Sequence, residues 1–165
     1  MRIVVVDADK AFAQDVAKTL NMLGHQPEVF TSLAAARQHL TGVEEPLLIF
    51  LDHDFGQAGE EGQEGYDLCK WLRENHPFGL LLPIVYLTGR EPSEHFLLRE
   101  REEPYVHPSA YIGKEELARD AALLPRLLQR YQDQFERVCV LGEEQSARQA
   151  LMHWGHLEAE PHDEP

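Results

Sequence analysis

Cysteine is scarce: Cys69 and Cys139 are the only two in 165 residues. One falls in a helical pattern and the other in an apolar patch, so they fit reduced core thiols and not a disulfide framework. Long apolar runs are missing as well, and none approaches the roughly 20 residues a membrane helix needs. Met1 leads straight into the short stretch Ile3–Val6 with no basic region or cleavage site behind it, so a cytoplasmic location is expected. Positive charge is in short supply, with 15 Lys plus Arg against 29 Asp plus Glu and a net charge of -14. A surface so acidic repels phosphate backbones, which argues against direct nucleic-acid binding. The imbalance is sharpest over residues 132–165, where eight carboxylates face only Arg137 and Arg148. That segment reads as a solvated tail, with a docking surface for a basic partner as the alternative.

What is present is a regular alternation. Arg2–Val6 is a short β-branched run that stops at Asp7, the pattern of a buried parallel strand. Phe12, Val16, Leu20 and Leu23 then recur at helical spacing, closed by Gly24. Glu28–Phe30 is a second strand, Thr31 or Ser32 can cap a helix over Leu33–Leu40, and Leu47–Leu51 is a third, wholly apolar strand. From Phe55 to Gly65 four glycines and three glutamates predict an exposed loop before a helix over Tyr66–Glu74. Pro83–Leu87 is the fourth strand, a weaker helix is expected around Ser93–Arg101, and Ala110–Ile112 is the fifth strand. A last helix spans about Glu115–Tyr131, restarted or kinked by Pro125. Val138–Leu141 and the series Ala147, Leu151, Trp154 suggest one more helix or strand in an extension over 132–165 whose end is disordered.

Five β-then-α units predict a parallel sheet with helices on both faces, in one domain over residues 1–131. In such sheets ligands bind beyond the carboxyl ends of the strands, at the switch in strand order. The strand ends carry Asp7-Ala8-Asp9, Asp52-His53-Asp54, Thr88-Gly89 and Lys114. Clustered carboxylates with hard oxygen donors suit Mg²⁺, and a carboxylate beside a hydroxyl and an ammonium can take a phosphoryl group. Any one of these residues is equally explained as a strand-end cap; it is their joint occurrence that points to chemistry.

Over residues 2–131 this set resembles the receiver domain of two-component response regulators. Val4–Asp7 is similar to the strand bearing the acidic pair, Ile49–Asp52 to the strand ending in the phosphorylated aspartate, Ile84–Gly89 to the segment with the switch hydroxyl, and Tyr111–Lys114 to the segment with the switch aromatic and the lysine. The resemblance implies a flavodoxin-like (βα)5 doubly wound sheet, strand order 2-1-3-4-5. It implies Asp52 as phosphoacceptor, Thr88 and Lys114 as phosphoryl-binding groups, Thr88 and Tyr111 as the switch pair, and Asp7, Asp52 and Asp54, with Asp9 as a further candidate, as Mg²⁺ ligands. The implied partners are a histidine kinase or phosphotransfer protein and a downstream protein, with a homodimer compatible. Enzymatic activity beyond self-phosphorylation and dephosphorylation is not expected, and residues 132–165 are too few and too acidic for a DNA-binding module.

Three departures qualify the resemblance. Ala8 stands where the family has its second acid, which weakens Mg²⁺ binding and favours a pseudo-receiver that acts by binding alone. Glu115 replaces a proline after the lysine, so an all-trans loop is expected there. The loop after Asp52 is about five residues longer than usual. Two further resemblances are local: Leu51–Gly56 with Gly65-Tyr66-Asp67 and Trp71-Leu72 is similar to a receiver-like group proposed to process cyclic phosphates, in which Asp52, His53 and Asp54 would be metal ligands or acid–base groups. Val6–Asp9 resembles the nucleophile motif of haloacid-dehalogenase-like phosphatases. His153 and His156, three apart, read as helix surface, with metal binding the less favoured alternative.

Overall fold

The computed structural model describes residues 2–55, 65–89, 98, 101–103 and 106–141, with side chains to 136. Its five strands are β1 (Arg2–Val6), β2 (Glu28–Phe30), β3 (Leu47–Asp52), β4 (Ile84–Thr88) and β5 (Ala110–Gly113), all parallel in the order β2-β1-β3-β4-β5. This is the parallel sheet that the strand–helix alternation predicts, in the doubly wound flavodoxin-like order that the resemblance implies. The helices are α1 (Lys10–Met22), α2 (Leu33–Leu40), α3 (Gly65–Asn75), α4 (Lys114–Arg119) and α5 (Leu123–Leu141), with a 3-10 turn at Gly79–Leu81. No described helix is long and apolar enough to cross a membrane.

The continuous apolar strands follow from burial on both faces. Val4, Val6, Ile49, Leu51 and Tyr86 point to one side, where α2 and α3 supply Leu33, Leu40, Leu68 and Leu72. Ile3, Val5, Phe50, Val85 and Leu87 point to the other, against Val16 and Leu20 of α1 and Leu124, Leu128 and Tyr131 of α5. The period-2 alternation of each strand thus sorts side chains between two cores.

The local signals act as their chemistry requires. Ser32, not Thr31, caps α2 by accepting from Ala35 N–H at 3.2 Å. Gly24 closes α1 with a φ of 87°, a left-handed backbone that glycine adopts without strain. The single helix expected over Glu115–Tyr131 is two. Asp120 ends α4, its carboxylate accepts from Ala122 N–H at 2.9 Å and its carbonyl from Leu123 N–H at 3.0 Å. Pro125 consequently lies in the first turn of α5, where its missing N–H has no helical partner to lose. Helix α5 also runs on through Tyr131 to Leu141, so Val138–Leu141 belongs to it, and Phe135 is buried in the core on the α2–α3 side. The helix expected around Ser93–Arg101, the loop after Phe55 and the tail from 142 lie largely outside the described residues.

Candidate functional site

The carboxyl ends of β1 and β3 are neighbours in the sheet, with Val6 opposite Leu51, and this pairing sets Asp7 beside Asp52 at the switch in strand order. Asp7 is completely buried and Asp52 is 5% exposed. Lys114, first residue of α4, reaches across from the end of β5. Its Nζ lies 2.8–2.9 Å from the two oxygens of Asp7 and 3.1 Å from Oδ2 of Asp52. Oδ1 of Asp52 accepts from Asp54 N–H at 3.2 Å, so both oxygens of this carboxylate are already aimed.

Two ionised carboxylates in a buried site are costly, and one ammonium offsets only part of that cost. Burial pushes the Asp7 carboxyl up to about 6; the hydrogen bond from Lys114 opposes this and the charge of Asp52 adds to it. Burial alone would lower the Lys114 ammonium, yet the hydrogen bond to Asp7 and the charges of Asp52 and Asp7 outweigh it and raise its pKa. Lys114 is therefore a fixed cation. His53 is 5% exposed, and burial holds its imidazole below the ordinary histidine value despite the nearby charges of Asp52 and Asp54.

The other candidates fall into distinct environments. Asp9 caps α1 through one oxygen: Oδ1 accepts from Ala11 N–H at 2.9 Å and from Phe12 N–H at 3.1 Å, while the Asp9 N–H donates to Asp7 Oδ1 at 2.8 Å. Thr88 ends β4 with its hydroxyl donating to Ile112 O over a long 3.4 Å. Tyr111 is 42% exposed, its ring 5.4 Å from that of Tyr86. Asp54 is half-buried. Every peptide bond among the described residues is trans, including those flanking Lys114.

Two features escaped the sequence reading. A Cβ at Gly65 would lie 2.1 Å from the Asp52 carbonyl oxygen, so only glycine lets α3 begin this close to the strand end; Gly65 N–H donates to His53 O at 3.0 Å. The signal was the last glycine of a run read as loop. Phe12, read only as part of an apolar helix face, places its ring centroid 4.9 Å from Lys114 Nζ.

Mg²⁺ commonly binds through one or two carboxylates and completes its octahedron with water and phosphate oxygens. Asp7 and Asp52 meet that minimum. Ala8 adds no donor, Asp9 is engaged as a cap, and among the described residues no three His, Cys, Asp or Glu side chains converge on a metal position. The donor set fits a weakly held Mg²⁺ and fits poorly the richer ligand set of a metal phosphoesterase. The dehalogenase-like alternative needs Asp7 as an accessible nucleophile, and Asp7 is completely buried.

No protein-family model matches the chain, and no curated protein matches it in sequence. Solved structures do match. The N-terminal domain of a response regulator/sensory box/GGDEF 3-domain protein from Carboxydothermus hydrogenoformans is similar with a TM-score of 0.65 at 24% identity, over 83% of this chain and 98% of its own. A CheY-like response regulator receiver domain protein from Methanospirillum hungatei JF-1 gives 0.61 at 19% identity, over 82% and 97%. A two-component response regulator from Clostridium difficile gives 0.61 at 20%, over 81% and 96%. The fold is therefore that of the receiver domains.

Proposed function

We propose that this chain is a receiver of two-component phosphorelay signalling, which accepts a phosphoryl group on Asp52 from a phosphohistidine of a histidine kinase or phosphotransfer protein and signals through a protein contact. The observation that carries this reading is the placement of Asp52. It ends the central strand at the switch in strand order, slightly exposed, with one oxygen on Lys114 and the other on Asp54 N–H.

In the transfer, a carboxylate oxygen of Asp52 forms a bond to phosphorus as the P–N bond breaks, and the imidazole nitrogen keeps the electron pair. Lys114 and the Asp54 N–H, now on the carboxylate, are positioned to take up phosphoryl oxygens and the charge they carry. Asp7 and Asp52 would hold Mg²⁺, which supplies further neutralisation of that charge when bound. Thr88 gives up only one long hydrogen bond to turn toward the phosphoryl group. Tyr111 lies partly exposed next to Tyr86, on the strand that the change would reach. The net charge of -14 favours a protein output over nucleic acid.

A second reading, an interaction module that works without phosphorylation, is favoured by one observation: Ala8 supplies no ligand, and the neighbouring Asp9 carries the cap of α1 on its Oδ1.

The deciding experiment incubates the purified protein with Mg²⁺ and beryllofluoride or acetyl phosphate, and follows tryptophan fluorescence and intact mass. Trp71→Phe separates the α3 tryptophan from Trp154. A saturable Mg²⁺-dependent fluorescence change, with an added phosphoryl mass absent in Asp52→Asn, is the expected result. No response at high Mg²⁺ would transfer the assignment to the interaction module.

A further inference from the structure

Lys114 stands at the first position of α4, where the helix dipole disfavours a cation, so its ammonium must be held by contacts from elsewhere. An ammonium has three N–H donors. Asp7 and Asp52 take two directions, and the Phe12 ring, with its centroid 4.9 Å from Nζ, covers a further side. The ring is not an incidental neighbour. Phe12 sits in the first turn of α1 with its N–H bonded to Asp9 Oδ1 at 3.1 Å, and Asp9 N–H in turn bonds Asp7 Oδ1 at 2.8 Å. Ring and carboxylate thus hang from one capped turn and face the same ammonium. Phe12 is itself half-buried against the core formed with α5, which limits its rotamers.

We propose that Phe12 is a positioning residue: its ring face holds the Lys114 ammonium on Asp7 and Asp52 and shields it from water, and so sets how tightly an incoming tetrahedral oxyanion is bound at Asp52. The first half of this statement stands on the geometry alone; the second rests on the receiver reading. A cation over an aromatic face is attracted by the ring quadrupole, more strongly where water is excluded, and an aliphatic side chain of similar bulk fills the space without that attraction. The Lys114 side chain is only 17% exposed, so most of it is withdrawn from water. Ala8, just before α1, contributes no carboxylate, and the Phe12 ring is a group that α1 does present to the cation.

The test uses the full chain labelled at lysine with ¹³C and ¹⁵N. Only four lysines are present, Lys10, Lys18, Lys70 and Lys114, so the Lys114 signal is assignable by one substitution. Protons over a ring face are shielded, so the Lys114 ε-methylene signal should lie upfield of the other three. Phe12→Leu should abolish that displacement and Phe12→Tyr should restore it. In the same variants, beryllofluoride affinity in Mg²⁺ should fall about three- to tenfold for Leu and return toward wild type for Tyr. A Lys114 signal identical in wild type and Phe12→Leu overturns the proposal. So does a displaced signal accompanied by unchanged affinity in Phe12→Leu, because the ring would then stack without positioning. If the wild type binds no beryllofluoride, the receiver reading fails, and the lysine spectrum alone decides whether Phe12 holds the ammonium. Circular dichroism of each variant guards against misfolding, and recovery in Phe12→Tyr distinguishes a ring effect from lost packing.

Discussion

Asp7 shows what a buried cluster of charges costs at the scale of one residue. Its carboxyl is completely buried, and burial, opposed by Lys114 and reinforced by Asp52, raises its pKa from 3.8 to about 6. An acid whose folded pKa lies above its unfolded value stabilises the fold below the unfolded pKa, and that contribution is lost as pH rises through the folded pKa. Ionised Asp7 is thus a net burden near neutrality. Asp7→Asn should gain on the wild type as pH is raised from about 5 to about 7.5 without divalent metal, by about 1–2 kcal/mol at the upper end. Urea unfolding across that pH range is the measurement, and a stability difference independent of pH would rule out the ionised carboxylate as its source. Added Mg²⁺ should narrow the gap by offsetting the charge.

Among the described elements, α3 is tied to its neighbours by several polar contacts. Arg73 is buried, and its guanidinium donates to three backbone carbonyls, Gly79 O at 2.5 Å, Leu82 O at 2.7 Å and His107 O at 3.0 Å. These belong to the 3-10 turn, the approach to β4 and the approach to β5. On the same helix Cys69 Sγ donates to Val106 O, and Lys70 and Tyr66 both contact Glu103. Arg73→Leu strands two buried acceptors and one partly buried one, and should cost about 2–4 kcal/mol. Lys70→Ala removes a partly exposed ion pair and should cost about 0–1 kcal/mol. Chemical denaturation of the two variants tests this ordering; equal effects would mean that the carbonyls find other donors. A lysine at position 73 should not rescue, since one ammonium lacks the planar fork that reaches three separate carbonyls.

For the molecule as a whole, α5 carries the packing of the sheet past residue 131. Leu124, Leu127, Leu128 and Tyr131 pack on the α1 side of the sheet, while Phe135, 6% exposed, joins the core on the opposite side. The helix therefore fastens both layers, and the boundary expected at residue 131 falls inside it. Phe135→Ala should destabilise the protein by about 3 kcal/mol. A chain cut after Tyr131 should lose at least as much, whereas one ending at Leu141 should retain that packing. Melting temperatures of the three test this directly, and a stable chain ending at 131 would restore the shorter domain.

Much of this was legible in the order of residues. Apolar β-branched runs such as Ile3–Val6 and Leu47–Leu51, separated by helical patterns, determine a parallel sheet, because a strand buried on both faces must be apolar throughout and a right-handed crossover fixes where the helices go. The same order places Asp7, Asp52, Thr88 and Lys114 at the ends of the first, third, fourth and fifth strands. Those facts depend on local periodicity and chain direction. What depends on three-dimensional packing was not legible: that Asp120 rather than Pro125 divides the last helix, that Arg73 grips three carbonyls and that Phe12 lies over Lys114. Each turns on distances between groups far apart in the chain or on competition among nearby polar groups. Only the folded molecule decides those, because the hydrogen bond or ring contact that wins is the one the packed backbone brings within reach.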